Sequence, residues 1–237
     1  MRSLVSILVT ALLWPAIAIS ENASECVVFL HGLARSSSSM DKTADAFEDR
    51  GFFVANVDYP SRKHKVETLA PMAIETGLAM CPADSKIHFV THSLGGILVR
   101  YYLENNALPY LGRVVMLGPP NRGSKVVDRY RNVPGFKAFN GPAANQLGTG
   151  SDGIAAALGP VDFELGVIAG TRTINLILSL ALPNPDDGKV SVENTKIEGM
   201  SDFIAVPHSH PFLMRASIVI EQALSFIENG RFEHGTP

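Results

Sequence analysis

Six short apolar runs divide the chain at fairly regular intervals. They occupy residues 26–30, 52–57, 87–90, 114–117, 165–170 and 202–206. Most are continuous rather than alternating, which is typical of strands buried on both faces of a parallel sheet. We therefore predict six strands.

Between several of these runs, apolar residues recur at the spacing of one helix face. The predicted stripes are Met40, Ala44 and Phe47; Val66, Leu69, Ala73 and Gly77; Leu98, Tyr101 and Tyr102; and Leu213, Ala216, Ile220, Ala223 and Ile227. We expect Ser38 or Ser39 to cap the first helix, Gly51 to end it and Gly230 to end the last. Alternating strands and helices predict an α/β fold with a doubly wound, mostly parallel sheet and right-handed crossovers.

The alternation of predicted strands and helices stops between about residues 121 and 160. Gly, Pro, Ala and Asn dominate there and periodicity is weak, which predicts loops or a small cap insertion. Loops of this kind often shape a binding site.

The N-terminus has the pattern of a secretory signal peptide. Arg2 precedes an apolar run over residues 4–14, and small residues follow as far as Ser20. We expect residues 1–20 to be removed by cleavage after Ala18 or Ser20, which leaves one domain over 21–237 that is periplasmic or secreted. The alternative is an uncleaved anchor, but the run is shorter than the roughly 18 residues of a spanning helix, so we expect no stable membrane anchor.

Charge and cysteine content narrow the picture further. The formal net charge is −3 without a basic cluster, so nucleic acid is not an expected partner. The only two cysteines are Cys26 and Cys81, each just upstream of a predicted strand. An oxidising compartment allows one disulfide between them, and two buried thiols are the alternative.

The polar residues that follow the predicted strands suggest chemistry, because sites in parallel α/β sheets form at the carboxyl ends of strands. Ser93 lies between a strand and a helix in Thr91-His92-Ser93-Leu94-Gly95-Gly96, the arrangement of a nucleophile elbow. Thr91 replaces the first glycine of that motif. The alternative is an ordinary strand-to-helix turn.

A serine nucleophile needs a base, and the base needs an orienting carboxylate. Asp186 and Asp187 lie in a turn after the fifth strand, and a plain tight turn is the alternative for this Asp-Gly pair. His208 and His210 follow the sixth strand; we prefer His210 because it directly precedes the last apolar helix. His-x-His can also bind metal, but no third ligand cluster accompanies it, so we predict neither a metal nor a cofactor.

Charge stabilisation would come from backbone N–H groups. Leu94 offers one at the start of a helix, and Leu33, after His31-Gly32, offers a second from the loop that follows the first strand. We interpret His31, and likewise His88 and His92, as structural residues rather than bases.

At this point the sequence resembles bacterial lipases and esterases of the α/β-hydrolase superfamily, including triacylglycerol lipases, over nearly the whole mature chain. The motifs that carry the resemblance are 29–33 (Phe-Leu-His-Gly-Leu), 91–96, 118–124 (Gly-Pro-Pro-Asn-Arg-Gly-Ser) and 187–190 (Asp-Gly-Lys-Val). The last is similar to the lipase acid turn, which favours Asp187 over Asp186, and the third has Asn121 where many lipases have histidine. The order Ser93, Asp187, His210 is that of the superfamily.

The resemblance implies ester hydrolysis through an acyl-enzyme, with a trimmed core and a small lid. The expected partner is a small-molecule or lipid ester, and we expect a monomer. Four apolar residues, for which plain helix packing is the alternative, are candidates for an acyl groove: Val133, Phe136, Phe139 and Ile154. A thioesterase or acyltransferase with the same triad, and a non-catalytic binding module, stay open; Ser93 disfavours relatives that need aspartate at the elbow.

Overall fold

The computed structural model describes residues 24–235, so the predicted signal peptide lies outside the described residues. Six strands form one sheet in the order β2-β1-β3-β4-β5-β6, and all neighbouring pairs are parallel. The strands are β1 (Glu25–Leu30), β2 (Phe53–Val57), β3 (Lys86–His92), β4 (Leu111–Leu117), β5 (Leu165–Gly170) and β6 (Asp202–Val206). The predicted doubly wound α/β sheet is confirmed.

Nine helices accompany this sheet in the described part of the chain. They are α1 (Asp41–Glu48), α2 (Val66–Met80), α3 (Leu94–Asn105), α4 (Lys125–Tyr130), α5 (Phe136–Asn145), α6 (Ile154–Ala157), α7 (Leu176–Ser179), α8 (Val192–Thr195) and α9 (Ser217–Asn229). Short 3₁₀ turns span Ser37–Ser39 and His210–Arg215. No helix within residues 24–235 combines the length and hydropathy that crossing a bilayer requires.

Two apolar clusters cover the two faces of the sheet. Val28 and Leu30 of β1 point to the layer of α2 and α3, whereas Val27 and Phe29 point to the layer of α1 and α9. This alternation is what a strand buried on both sides must show. Gly77 lets α2 lie close to β1, because a Cβ there would approach Val28 to 2.4 Å.

The sheet register places three strand ends side by side. Leu30 at the end of β1 pairs with Thr91 of β3, and His92 at the end of β3 pairs with Leu117 of β4. The segments that begin at His31, Ser93 and Gly118 therefore leave the sheet next to one another.

Cys26 and Cys81 form a disulfide, with a Cα–Cα distance of 5.8 Å. It joins the beginning of β1 to the residue after α2, across 55 residues of sequence. The cross-link therefore ties the helix layer to the sheet at the end opposite the Ser93 edge.

Two predicted helix ends are wrong. The N-cap of α1 is Met40, which has helical backbone angles, because residues 37–39 already form a 3₁₀ turn in which the Ser39 hydroxyl donates to the Ser36 carbonyl at 2.8 Å. The last helix begins at Ser217 rather than near Leu213, because extended Ala216 separates it from the preceding 3₁₀ turn. The predicted end at Gly230 is confirmed by its left-handed φ of 74°.

The segment of residues 121–160, between β4 and β5, contains α4, α5 and α6 and is called the insertion below. The buried Arg100 of α3 fastens both of its ends: its guanidinium donates to the carbonyl oxygens of Asn121 at 2.9 Å, Leu158 at 3.2 Å and Gly159 at 3.1 Å. Burial lowers the pKa of Arg100 to about 10, so it stays charged at neutral pH. One buried cation thus ties both ends of the insertion to α3, beside further hydrogen bonds such as that from Asn121 Nδ2 to the Thr195 carbonyl at 2.8 Å.

Candidate active site

Ser93 occupies a strained turn between β3 and α3. Its φ of 52° and ψ of −114° lie outside the regions that non-glycine residues favour. Gly95 permits the turn, since a Cβ at that position would lie 2.6 Å from the Leu30 carbonyl oxygen. Such a sharp strand-to-helix turn presents the serine hydroxyl at the edge of the sheet.

Thr91 fits the place where the elbow motif has glycine. Its side chain is buried, and its hydroxyl donates to the Val115 carbonyl of β4 at 3.4 Å. The small β-branched side chain therefore fits between two strands, and the turn at Ser93 keeps its sharp geometry.

His210 and Asp187 meet in the wall of the cavity that Ser93 also lines. The Nδ1 of His210 lies 2.7 Å from Oδ2 of Asp187, and the backbone N–H of His210 donates to the Asp187 carbonyl at 2.9 Å. The other carboxylate oxygen, Oδ1, accepts the backbone N–H groups of Lys189 at 2.9 Å and Val190 at 2.8 Å. The acid turn thus fixes the carboxylate, and the carboxylate fixes the imidazole.

The two competing residues have other partners. Asp186 accepts the Ser179 hydroxyl at 2.6 Å and the Gly188 N–H at 2.7 Å, so it fastens α7 to the turn. His208 makes no side-chain hydrogen bond or ion pair with the rest of residues 24–235. The structure brings Asp187 to His210 and leaves Asp186 and His208 outside that pair.

Gly118 was not anticipated as a site residue. It has a φ of 56°, and a Cβ there would lie 3.0 Å from Oδ2 of Asp187 and 3.1 Å from Nδ1 of His210. Any larger residue would therefore crowd the pair. The signal in the sequence was its position directly after β4, followed by two prolines.

His92 was interpreted as structural, and it contacts the site through the backbone. Its Nε2 donates to the His210 carbonyl at 3.0 Å, and the two imidazole centroids are 4.7 Å apart. Burial, with the nearby charge of His210, holds the pKa of His92 well below its usual range. His92 is therefore a neutral donor that helps to hold the loop carrying His210.

The two proposed oxyanion donors lie next to Ser93. Within residues 24–235, the backbone N–H groups of Leu33 and Leu94 find no acceptor. Gly32 brings the first loop close, since a Cβ there would be 3.3 Å from Cβ of Ser93 and 2.6 Å from Nδ1 of His92. Neither group is used by the described fold, so both remain candidates for the donor role predicted from the sequence.

His31 supports this loop from below. Its Nδ1 donates to the Gly32 carbonyl at 2.8 Å, its Nε2 accepts the Tyr59 N–H at 3.3 Å, and its ring stacks on that of Tyr59 at 4.1 Å. Burial lowers the pKa of His31. These contacts fit the structural role expected for it.

A cavity of about 680 Å³ contains Ser93, Asp187 and His210 in its wall. Its apolar part comes largely from the insertion, with the following residues: Val126, Val127, Tyr130, Val133, Phe136, Phe139, Ala144 and Leu147. Three of the four candidates for the acyl groove are among them. Ile154 is not among them; it packs against the apolar core cluster on the α2 and α3 face of the sheet.

Among residues 24–235, no group of three or more histidine, cysteine, aspartate or glutamate side chains is arranged to hold a metal ion. Of the His-x-His pair, the imidazole of His210 is engaged by Asp187. The described polar groups of the cavity include Ser93 and the hydrogen-bonded His210–Asp187 pair.

No protein-family model matches the chain, and no curated protein matches it in sequence. Solved structures, in contrast, do match the chain. The mature form of Bacillus licheniformis lipase BlEst2 aligns with a TM-score of 0.60 and 21% identity, over 87% of this chain and 90% of that one.

Two further structures are similar. The metagenomic carboxyl esterase MGS0156 aligns with a TM-score of 0.62 and 18% identity, over 80% of this chain and 65% of that one. Phospholipase PlaB from Legionella pneumophila aligns with a TM-score of 0.61 and 20% identity, over 73% of this chain and 46% of that one. With its parallel sheet and strand-to-helix elbow, the chain has the α/β-hydrolase fold found in bacterial lipases and esterases.

Proposed function

We propose that the protein is a serine hydrolase that cleaves carboxylic esters, as a lipase or carboxylesterase, through an acyl-enzyme. The observation that carries the proposal is a strained Ser93 in the wall of a cavity that also contains the hydrogen-bonded His210–Asp187 pair. Fold alone would not carry it, because one fold serves many functions.

In the first half-reaction the Ser93 hydroxyl attacks the ester carbonyl carbon, and Nε2 of His210 takes its proton. Asp187 holds Nδ1 protonated, so that Nε2 is the basic nitrogen, and it stabilises the imidazolium that forms. Nε2 has no hydrogen-bond partner elsewhere in the described chain, which leaves it available for this transfer.

The carbonyl oxygen becomes an oxyanion in the tetrahedral intermediate. The free N–H groups of Leu33 and Leu94 supply two donors that need no reorganisation, and removal of one such donor typically costs about 10²–10³-fold in kcat. Collapse of the intermediate breaks the bond to the alcohol oxygen, and His210 gives its proton to that oxygen.

In the second half-reaction a water molecule loses its proton to His210 and attacks the acyl-Ser93 ester. The intermediate collapses, the proton returns to Ser93, and the carboxylic acid leaves. The apolar cavity wall from the insertion suits an acyl chain at this stage. A thioester would be attacked by the same groups, so substrate profiling includes one.

The test begins with a fluorophosphonate probe on the mature protein, followed by 4-nitrophenyl esters of increasing acyl length and one matched thioester. We expect the wild type to be labelled and Ser93→Ala to lose both label and activity, by a factor on the order of 10⁴–10⁶ in kcat. Ser36→Ala, at an exposed serine outside the cavity, is the control. An unlabelled wild type that cleaves none of these esters would refute the proposal.

We further propose that the enzyme acts after export, in the periplasm or outside the cell. The signal-like pattern of residues 1–20 and the disulfide between Cys26 and Cys81 support this, because disulfides persist in oxidising compartments. The mass of the unreduced protein isolated from its native compartment tests both points. Retention of residues 1–20, or two alkylatable thiols, would contradict the proposal.

A further inference from the structure

The cavity beside Ser93 has an excess of positive charge in a protein whose formal net charge is −3. Arg35 and Lys189 are its cationic wall residues, and Asp187 is the only carboxylate among the described lining residues. That carboxylate is already committed to His210 and to two backbone N–H groups. The two cations therefore lack a counterion of their own inside the cavity.

Neither cation is neutralised from outside the cavity. In residues 24–235, no carboxylate forms an ion pair with Arg35 or Lys189, whereas four other arginines have one, such as Arg122 with Glu193 at 2.6 Å. Burial against the cavity wall lowers the pKa of Lys189; the Asp187 carboxylate opposes this shift, and the charge of Arg35 adds to it. Two like charges are thus held near each other, an arrangement that an anion would relieve.

Both cations belong to segments that carry or contact the His210–Asp187 pair. Lys189 is two residues beyond Asp187, and a guanidinium nitrogen of Arg35 lies 3.5 Å from the carbonyl of Pro211, the residue after His210. The apolar wall formed by α4 and α5 belongs instead to the insertion. The cavity therefore has a cationic part and an apolar part.

The chemistry decides which part of an ester faces the cations. His210 must give its proton to the departing alcohol oxygen, so the alcohol part lies towards His210 and its neighbours. The acyl part then extends along the apolar wall. Arg35 and Lys189 consequently flank the alcohol part of the ester.

We propose that Arg35 and Lys189 bind an anionic group, a carboxylate or a phosphate, on the alcohol part of the substrate. This inference rests on the proposed ester hydrolysis and names its substrate class: amphiphilic esters with an apolar acyl chain and an acidic alcohol. Arg35 supplies a planar donor set that suits either anion, and Lys189 adds a mobile ammonium.

A matched pair of chromogenic esters tests the inference. The neutral ester is 4-nitrophenyl butyrate, and the anionic one is the butyrate ester of 3-hydroxy-4-nitrobenzoate, whose charge lies on the alcohol part. The readout is the ratio of kcat/KM for the anionic ester to that for the neutral ester. Comparing this ratio between variants cancels the different intrinsic reactivities of the two leaving groups.

We expect Arg35→Gln and Lys189→Gln each to lower the ratio about threefold, and the double variant about tenfold, as partly exposed ion pairs would. Lys189→Arg, which keeps the charge, should retain most of the ratio. Lys63→Gln removes an exposed charge outside the cavity and should leave the ratio unchanged. A double variant with the ratio of Lys63→Gln would overturn the inference.

The side of the ester is tested with 4-nitrophenyl hydrogen succinate, which carries its charge on the acyl part. If the double variant loses as much activity on this ester as on the nitrobenzoate ester, the assignment to the alcohol part is wrong.

A binding experiment separates this inference from the proposed hydrolysis. Calorimetry measures the Kd of the nitrobenzoate ester for Ser93→Ala and for Ser93→Ala with both Gln substitutions. A Kd raised about tenfold by the Gln substitutions supports the anion site whatever the turnover of the wild type. An equal Kd overturns the site, and an inactive, unlabelled wild type refutes the hydrolase proposal alone.

Discussion

The edge of the sheet around Ser93 and the insertion over residues 121–160 are built in opposite ways. At the edge, both carboxylate oxygens of Asp187 have hydrogen-bond partners, and His210 is only 7% exposed. In the insertion, Phe139 is 74% exposed, and α5 is interrupted at Gly141, whose φ is 79°. The edge holds polar groups in one geometry, whereas the insertion offers apolar surface on short helices.

This difference assigns different properties to the two regions. Groups that must sit within hydrogen-bond distance of a reacting atom need rigid support from strands and tight turns. Acyl chains need only an apolar wall of adequate size, which short helices can supply. We infer that the edge determines whether an ester is cleaved, and that the insertion determines which ester.

The largest expected effect concerns the two neighbouring acids at the edge. Asp187→Asn should lower kcat for 4-nitrophenyl butyrate by about 10⁴-fold, because the amide no longer stabilises the required histidine tautomer. Asp186→Asn should lower it by less than about tenfold, because Asp186 bonds only to Ser179 and Gly188. Steady-state kinetics and circular dichroism of both variants check this. Equal losses would remove the distinction between Asp187 and its neighbour.

A second effect concerns the attachment of the insertion. Arg100→Met should lower the free energy of unfolding by about 3 kcal/mol, because the carbonyls of Asn121, Leu158 and Gly159 lose a charged donor. Urea unfolding measures the loss, and limited proteolysis should then cut within residues 121–160 first.

Arg113→Met is the matched control. Arg113 donates to the Ile227 carbonyl at 2.7 Å, away from the insertion, so its loss should destabilise without exposing residues 121–160. If both variants are cut at the same positions, Arg100 is not a specific attachment of the insertion.

A third effect is a loss of folding stability at acidic pH, which originates in the sheet that supports the edge. Burial lowers the pKa of His88 in β3 from 6.5 to about 4, so between these pH values the unfolded chain binds the proton and the folded protein does not. Stability is therefore present above pH 6.5 and is lost as the pH falls towards 4, by roughly 2 kcal/mol from this residue at pH 4.5.

The His88→Asn variant isolates that contribution. The amide oxygen can accept the Arg113 N–H that Nδ1 of His88 accepts at 2.9 Å, and it does not titrate. Urea unfolding between pH 7 and 4.5 should show a shallower decline than the wild type. The exposed His64→Asn is the control; a decline as steep as that of the wild type in His88→Asn would contradict the assignment.

The smallest effect tests the insertion as the selector of the acyl chain. Phe139→Ala should lower kcat/KM for a decanoate ester about fivefold relative to a butyrate ester, because a long chain loses an apolar contact that a short one never makes. Phe53→Ala, at a half-exposed phenylalanine outside the cavity, should leave the ratio unchanged. A similar fall in both variants, or none in Phe139→Ala, would show that the insertion does not select chain length.

The strands, and the order of the candidate catalytic residues along the chain, could be predicted from the sequence because they depend on local patterns. Continuous apolar runs gave β5 and β6 with the observed bounds and the other four strands to within a few residues. The positions of Ser93, Asp187 and His210 after strands followed from the same runs. Short-range turns were less accessible: a serine run that resembled a helix cap formed its own 3₁₀ turn.

The sequence indicated the insertion only through its loss of periodicity. Its helices are four to ten residues long, too short to give a periodic signal, and Phe139 and Ile154 have equally apolar side chains. Only packing shows that Phe139 lines the cavity whereas Ile154 turns to the core. The role of Arg100 arises from contacts with residues far along the chain, so no local pattern reveals it. Gly118 had a local signal in its position directly after β4, but its closeness to Asp187 and His210 shows only in the folded chain.

The sequence by itself determined the parallel α/β sheet and the chemical groups at its carboxyl edge, because burial on both faces imposes a pattern along each strand. Tertiary structure alone decided that Asp187 and His210, rather than Asp186 and His208, form the pair at 2.7 Å. It also decided that Arg35 and Lys189 share the cavity with Ser93. Hydrogen bonds and charge interactions act over a few ångströms in space, and residues distant in sequence come that close only when the sheet has folded.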